Sequence, residues 1–149
     1  MQCIQALNEY DGNGKAVFVA GGISGCPDWQ KNFIDLFRDE DIVLLNPRRA
    51  VYSDDTVQAA KEQIEWEHRH LRQAQAVSFW FPAETLCPIT LFELGAWLMT
   101  DKPVFIGVHP DYKRRLDVET QAELARPGIK IVYDLPALAE QVRLWLKNK

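Results

Sequence analysis

The chain has 149 residues, 47% of them hydrophobic, and a net charge of -4, which suits one domain that buries on the order of two thirds of its unfolded surface. Its Lys and Arg are scattered rather than gathered into a stripe, which excludes the electrostatic footprint of a nucleic-acid binder. No basic start leads into a long apolar stretch and the apolar run Ile89–Met99 is too short to cross a bilayer, so no membrane partner is expected and a cytoplasmic location is.

Residues 1–15 read as a polar lead-in, with the Gly-containing stretch Asn8–Lys15 as the one floppy region expected, and residues 16–149 as a single domain. From there, short apolar runs alternate with helical patterns. Strands are expected at Ala16–Ala20, Ile42–Leu45, Ala76–Phe81, Val104–Val108 and Ile129–Tyr133. Helices are expected at Asp28–Asp39, Thr56–Ala74, Ile89–Thr100, Asp117–Leu124 and Pro136–Leu146. Strands that are apolar nearly throughout, each followed by a helix, predict an α/β fold with a five-stranded parallel sheet in the order 2-1-3-4-5 and helices on both faces. In such sheets ligands bind beyond the carboxyl ends of the strands, at the switch point between strands 1 and 3.

The loops at those ends carry the chemistry. Strand 1 runs into Gly21-Gly22-Ile23-Ser24-Gly25, where glycines let the backbone turn sharply and approach a ligand, and Ser24 can donate a hydrogen bond. The spacing is neither G-x-G-x-x-G nor a P-loop, and a tight turn capped by Asp28 explains it as well. Strand 2 ends in Asn46-Pro47-Arg48-Arg49, which offers an amide and a guanidinium to a polar ligand or forms an ordinary stiff turn. Strand 3 ends in Trp80 and Phe81, aromatic rings that serve either to stack on a base or to fill the core.

The helix before strand 3 contains Glu62-Gln63-Ile64-Glu65-Trp66-Glu67-His68-Arg69-His70. His68 and His70 point in different directions on a helix, and the lone Glu67-x-x-His70 has no second copy, so no metal site is expected. Most of these charges read as a solvated face, with Glu67 set apart below. Cys3, Cys26 and Cys87 are odd in number, far apart and form no C-x-x-C pair, which argues for a reducing compartment over a disulfide framework or a zinc knuckle. Lys113-Arg114-Arg115 reads as solvated surface.

Glu93 is the residue that most needs an explanation. It sits in the run Ile89-Thr90-Leu91-Phe92-Glu93-Leu94-Gly95-Ala96-Trp97-Leu98-Met99, and a carboxylate among Leu, Phe and Trp loses hydration unless a partner, a proton or a catalytic task compensates. One reading makes it a catalytic group. The other is a capping box, Thr90-x-x-Glu93, in which the glutamate returns to the helix's first free amide.

Taken in order, Val19-Ala20-Gly21-Gly22-Ile23-Ser24-Gly25, Asn46-Pro47-Arg48-Arg49, Glu62-Gln63-Ile64-Glu65-Trp66-Glu67, Phe79-Trp80-Phe81-Pro82 and Phe92-Glu93-Leu94-Gly95 resemble the nucleoside 2-deoxyribosyltransferase superfamily, in its transferase-like branch. The resemblance implies a flavodoxin-like (Rossmann-like) fold that cleaves the bond between a base and a (deoxy)ribose, with no metal or organic cofactor. Glu93 would be the nucleophile toward the anomeric carbon. Glu67, where relatives carry Asp, would be the acid facing the base, and Glu84 a further acid touching it. The loop Gly21, Gly22, Ile23, Ser24 would hold the sugar or base, with Asn46, Arg48, Trp80 and Phe81 around it. Related nucleotide hydrolases carry an Arg where this chain has Ser24, so the resemblance does not imply a preference for a 5'-phosphate. The place of the family's active-site Tyr falls to Trp29, Tyr52 or Trp80, and a homo-oligomer is implied because relatives complete the site from a neighbouring subunit. Two alternatives stand beside this reading: a nucleotide or NAD N-glycosidase using the same glutamate with Arg48 and Arg49 on phosphate, and a non-catalytic nucleotide-sensing module.

Overall fold

In a computed structural model, which describes residues 1–51 and 55–148, the chain forms a parallel six-stranded sheet with helices on both faces. Tyr52 lies outside the described residues. The elements in chain order are β1 (Gln2–Gln5), β2 (Ala16–Gly21), α1 (Trp29–Asp35), β3 (Val43–Asn46), α2 (Val57–Gln73), β4 (Ala76–Phe81), α3 (Pro88–Leu98), β5 (Val104–Val108), α4 (Arg115–Ala125), β6 (Ile131–Val132) and α5 (Leu135–Lys147).

The strand order is β1-β3-β2-β4-β5-β6. Without its first strand this is the 2-1-3-4-5 order expected from the sequence. The count of five is corrected to six because Gln2–Gln5, placed in the lead-in, pairs in parallel with β3 from Gln2↔Val43 to Gln5↔Asn46. Only Ile4 of that strand is buried, so the segment lacks the continuous apolar signal of the strands inside the sheet. Its continuation is held too. The indole of Trp66 donates to the carbonyl of Asn8 at 2.8 Å, and Tyr10 N–H donates to Nε2 of His70 at 3.2 Å. His70, grouped with a solvated face in the sequence, is 0% exposed and stacks on Trp66.

Two cores flank the sheet, as alternate strand residues require. On one face α2, α3 and α4 bury Trp66, Leu71, Leu94, Leu98, Val118 and Ala122 against Phe18, Leu45, Phe79 and Ile106. On the other, α1 and α5 bury Phe33, Ile34, Leu138 and Val142 against Val17, Val19, Leu44 and Trp80. The order in which strands are added to the sheet reverses between β2 and β4, parallel hydrogen-bonded neighbours from Val17↔Ala76 to Gly21↔Trp80. Their carboxyl ends therefore open onto the switch point.

Candidate active site

Glu93 projects from the second turn of α3 rather than from its start. The helix begins at Pro88, whose missing N–H costs nothing at a first helical position, after Cys87 in a left-handed conformation (φ 51°) with no side-chain cap. Thr90 is therefore inside the helix and buried, and the capping box does not form. Among the described residues no hydrogen bond reaches the Glu93 carboxyl, and the group is half-buried. Burial first, then the nearby Glu67 carboxylate, pushes its pKa up to about 8.

Glu67 comes from α2, on the same side of the sheet. It is also half-buried, and burial raises its pKa, an effect opposed by one hydrogen bond from Gln63. Burial and a neighbouring carboxylate together favour the protonated form of Glu93, as in acid–base pairs whose environments separate their roles. This pair is the part of the sequence-derived site that the structure brings together most clearly.

The Gly loop has another function in the fold. An added Cβ at Gly22 would stand 2.8 Å from Cys87 Sγ and 2.9 Å from both Pro82 and Thr85 side-chain carbons, so this glycine is where the loop after β2 closes against the loop after β4. The carbonyl of Gly22 accepts from Trp29 Nε1 at 2.8 Å and Gln30 Nε2 at 3.0 Å. Gly21, at φ 156°, is packed just as tightly against the ring of Trp29 and the carbonyl of Trp80. Ile23 is half-buried and Ser24 exposed at the tip. Asp28 caps α1 by accepting from Lys31 N–H at 3.1 Å. Glu84 is exposed on the loop after β4, and its charge acts on Cys26 and Cys87, so it belongs to the rim shared by these two loops.

The remaining candidates are occupied by packing. Arg48 donates through NH1 to Pro27 O and Gln30 Oε1, both at 3.0 Å, and through NH2 to Cys26 O at 3.1 Å, with Asp28 3.8 Å from its Nε. It brackets the turn before α1. Asn46 is buried and accepts from the N–H of Arg48 at 3.0 Å. Trp80 is 6% exposed and packs toward Trp29, with centroids 6.5 Å apart, while Phe81 is 0% exposed beside Tyr112. In this conformation both rings fill the core, on opposite faces, instead of offering a platform for a base. Trp29, named for the missing Tyr, is buried as well.

Two residues escaped the sequence reading. Gln30 is fully buried and ties Gly22 to Arg48; Gln63 ties Glu67 to the backbone after β3. A fully buried glutamine announces itself in sequence only as a polar residue on an otherwise apolar helix face, and Gln30, beside Trp29 and before Phe33, has that position. Among the described residues no group of three or more His, Cys, Asp or Glu side chains is arranged to hold a metal ion.

The sequence profile of the family described as "Nucleoside 2-deoxyribosyltransferase like" matches residues 14–112, which contain the Gly loop, both carboxylates and the connecting loops. Among solved structures, a conserved protein from Enterococcus faecalis V583 superposes with a TM-score of 0.62 at 14% identity, over 88% of this chain and 98% of that one. At that identity the likeness shows the fold. No functionally curated protein matches.

Proposed function

Because the chain belongs to the nucleoside 2-deoxyribosyltransferase-like family, whose substrates are nucleosides, we propose that it is an enzyme that cleaves the N-glycosidic bond of a (deoxy)nucleoside, with Glu93 as nucleophile and Glu67 as acid–base partner. The observation that carries this reading is the carboxyl pair itself: two half-buried glutamates from α2 and α3, the Glu67 charge acting on Glu93, with no cap or ion pair on Glu93 among the described residues. In the first half-reaction the single proton of the pair passes from Glu93 to Glu67, the ionised Glu93 oxygen bonds to the anomeric carbon, the bond from that carbon to the base nitrogen breaks, and Glu67 delivers that proton to the departing base. In the second half a new base or water attacks the same carbon, returns a proton to Glu67 and frees Glu93. Transfer and hydrolysis differ only in that acceptor. Ser24 and Glu84, exposed on the rim, are the groups we propose to touch the substrate directly; Gly21, Gly22 and Ile23 shape the loop.

The engaged guanidinium of Arg48 favours a nucleoside over the nucleotide or NAD alternative, since three of its five N–H donors already go to carbonyl acceptors with which a phosphate would have to compete. The three free thiols suit a reducing, cytoplasmic compartment, and a role in nucleoside salvage is proposed from the family alone. The apolar outer face of α3, with Ile89, Phe92 and Met99 exposed, supports a homo-oligomer.

The test is chromatographic detection of free base from a panel of nucleosides, deoxynucleosides and their monophosphates, with and without an acceptor base, for wild type and Glu93→Gln. Base release or exchange, lost by at least about a thousandfold in the variant, is the expected result. Tight binding without product in either protein would replace the enzyme with the sensing module. Because the pair loses its last proton near pH 8, kcat/KM is expected to fall above that pH; a lone nucleophile would instead gain activity through the same range.

A further inference from the structure

Gln63 lies one helical turn before Glu67 on α2 and uses one nitrogen twice. Its Nε2 donates to the carbonyl oxygen of Pro47, just past the end of β3, at 2.8 Å, and to Oε1 of Glu67 at 2.8 Å. A peptide carbonyl only accepts, so the Pro47 contact fixes which end of the amide faces the carboxyl. Turned over, the amide would set oxygen against oxygen at Pro47. The chosen orientation leaves Gln63 Oε1 buried with no hydrogen-bond partner among the described residues. Folded proteins rarely leave such an acceptor unpaired. Here the unpaired oxygen goes with a donor aimed at one oxygen of one carboxyl, and Glu67 Oε2 receives no hydrogen bond from the described residues.

Resting on the reading of Glu67 as proton donor, we propose that Gln63 is a positioning residue of the reaction: it reserves Glu67 Oε1 as an acceptor, so that the transferable proton is carried on Oε2. A protonated Glu67 accepts the amide N–H on its carbonyl oxygen Oε1 and keeps the hydroxyl on Oε2. As the glycosidic bond breaks, that hydrogen passes to the base nitrogen and the bonding pair of the C–N bond goes to the base. Glu67 is left ionised, still holding the Gln63 donor, and the acceptor base or water restores the proton to Oε2 in the second half. The titratable group facing Glu67 from the neighbouring helix is Glu93 on α3, and Pro47 and Gln63 themselves carry no charge. The amide thus gives the proton a fixed address within a pair of otherwise similar carboxyls.

The experiment compares wild type with Gln63→Met on two substrates of the same sugar, a nucleoside and a p-nitrophenyl glycoside. Nitrophenolate leaves without protonation, so a residue that positions the acid affects only the nucleoside. The variant is expected to lose roughly tenfold or more in kcat on the nucleoside, with KM little changed, and to keep its turnover of the nitrophenyl compound. Carbon-13 titration of the side-chain carboxyls, with Glu67 identified by its loss in Glu67→Gln, should show Glu67 gaining its proton at higher pH in Gln63→Met, since the ionised form has lost a donor. Should the Met variant not fold, Gln63→Asn, too short to span Pro47 and Glu67 together, is expected to show the same split. Equal losses on both substrates with an unmoved Glu67 titration would overturn the proposal while leaving the glycosidic reading intact. A wild type that cleaves neither compound would overturn both.

Discussion

The Glu93–Glu67 pair keeps one proton through most of the neutral range, because burial and the neighbouring carboxylate push Glu93 up to about 8. In the unfolded chain the same group titrates near 4.5. The folded protein therefore binds that proton more tightly, and the stability it contributes is complete below about pH 4.5 and lost as pH rises through about 8. Thermal melts of wild type and Glu93→Gln should separate as the buffer is taken upward through this window, the variant melting higher, by an amount on the order of a few kcal/mol at the alkaline end. Parallel melting curves at all pH values would mean that Glu93 is solvated. Glu93 was legible in the sequence because one carboxylate in an apolar helix stands out, and Glu67 was legible through the resemblance. Gln63 was not, because what distinguishes it is a bond to Pro47, sixteen positions away in the chain. Arg48 had the opposite problem: an arginine after a strand has the same spelling whether it holds a phosphate or braces a turn, and only the positions of the Cys26 and Pro27 carbonyls tell the two apart.

At the level of elements, the two loops that frame the switch point are joined by the absence of a side chain. A methyl group on Gly22 would have to displace Cys87, Pro82 or Thr85, and the first of these is the N-cap residue of α3. Gly22→Ala should therefore cost about 1–3 kcal/mol in denaturant unfolding, and should lower turnover as well by shifting the helix that bears Glu93. A stability within about 0.5 kcal/mol of wild type would mean that the two loops separate without cost. The sequence located the strands inside the sheet well, since parallel strands covered on both faces must be apolar throughout. It placed the start of α3 within one residue, at Ile89, and of its two readings of Glu93 the Thr90 capping box is the one that does not form, because Pro88 already opens the helix. It missed β1, an edge strand that buries a single side chain and so carries almost no pattern.

For the whole molecule, one surface stands out. On α3, Phe92 is 77% exposed, Met99 79% and Ile89 63%, with Gly95 and Ala96 between them on the same exposed side. Such a stripe beside the Glu93 turn suits a second copy of the chain, because small residues allow close helix approach and monomers rarely expose large contiguous apolar patches. Sedimentation should find wild type as an oligomer at micromolar concentration and Phe92→Asp weakened by at least about tenfold in self-association. A wild type that stays monomeric at tens of micromolar would remove the oligomer from the proposed function. No described helix is long and apolar enough to cross a membrane.

The strand order also governs how the chain must fold. Every neighbouring pair in the sheet is parallel, so none can form as a hairpin, and each waits for an intervening helix. The central contact, Val17 with Ala76, closes a loop of about sixty residues before it returns any hydrogen bond. A ribosome must therefore deliver β4 before the middle of the sheet can be assembled, and the apolar strands β2 and β3 wait in that interval with an open edge. Folding is expected to be slow for a chain of this length, and refolding yield should fall with rising protein concentration because those edges find one another first.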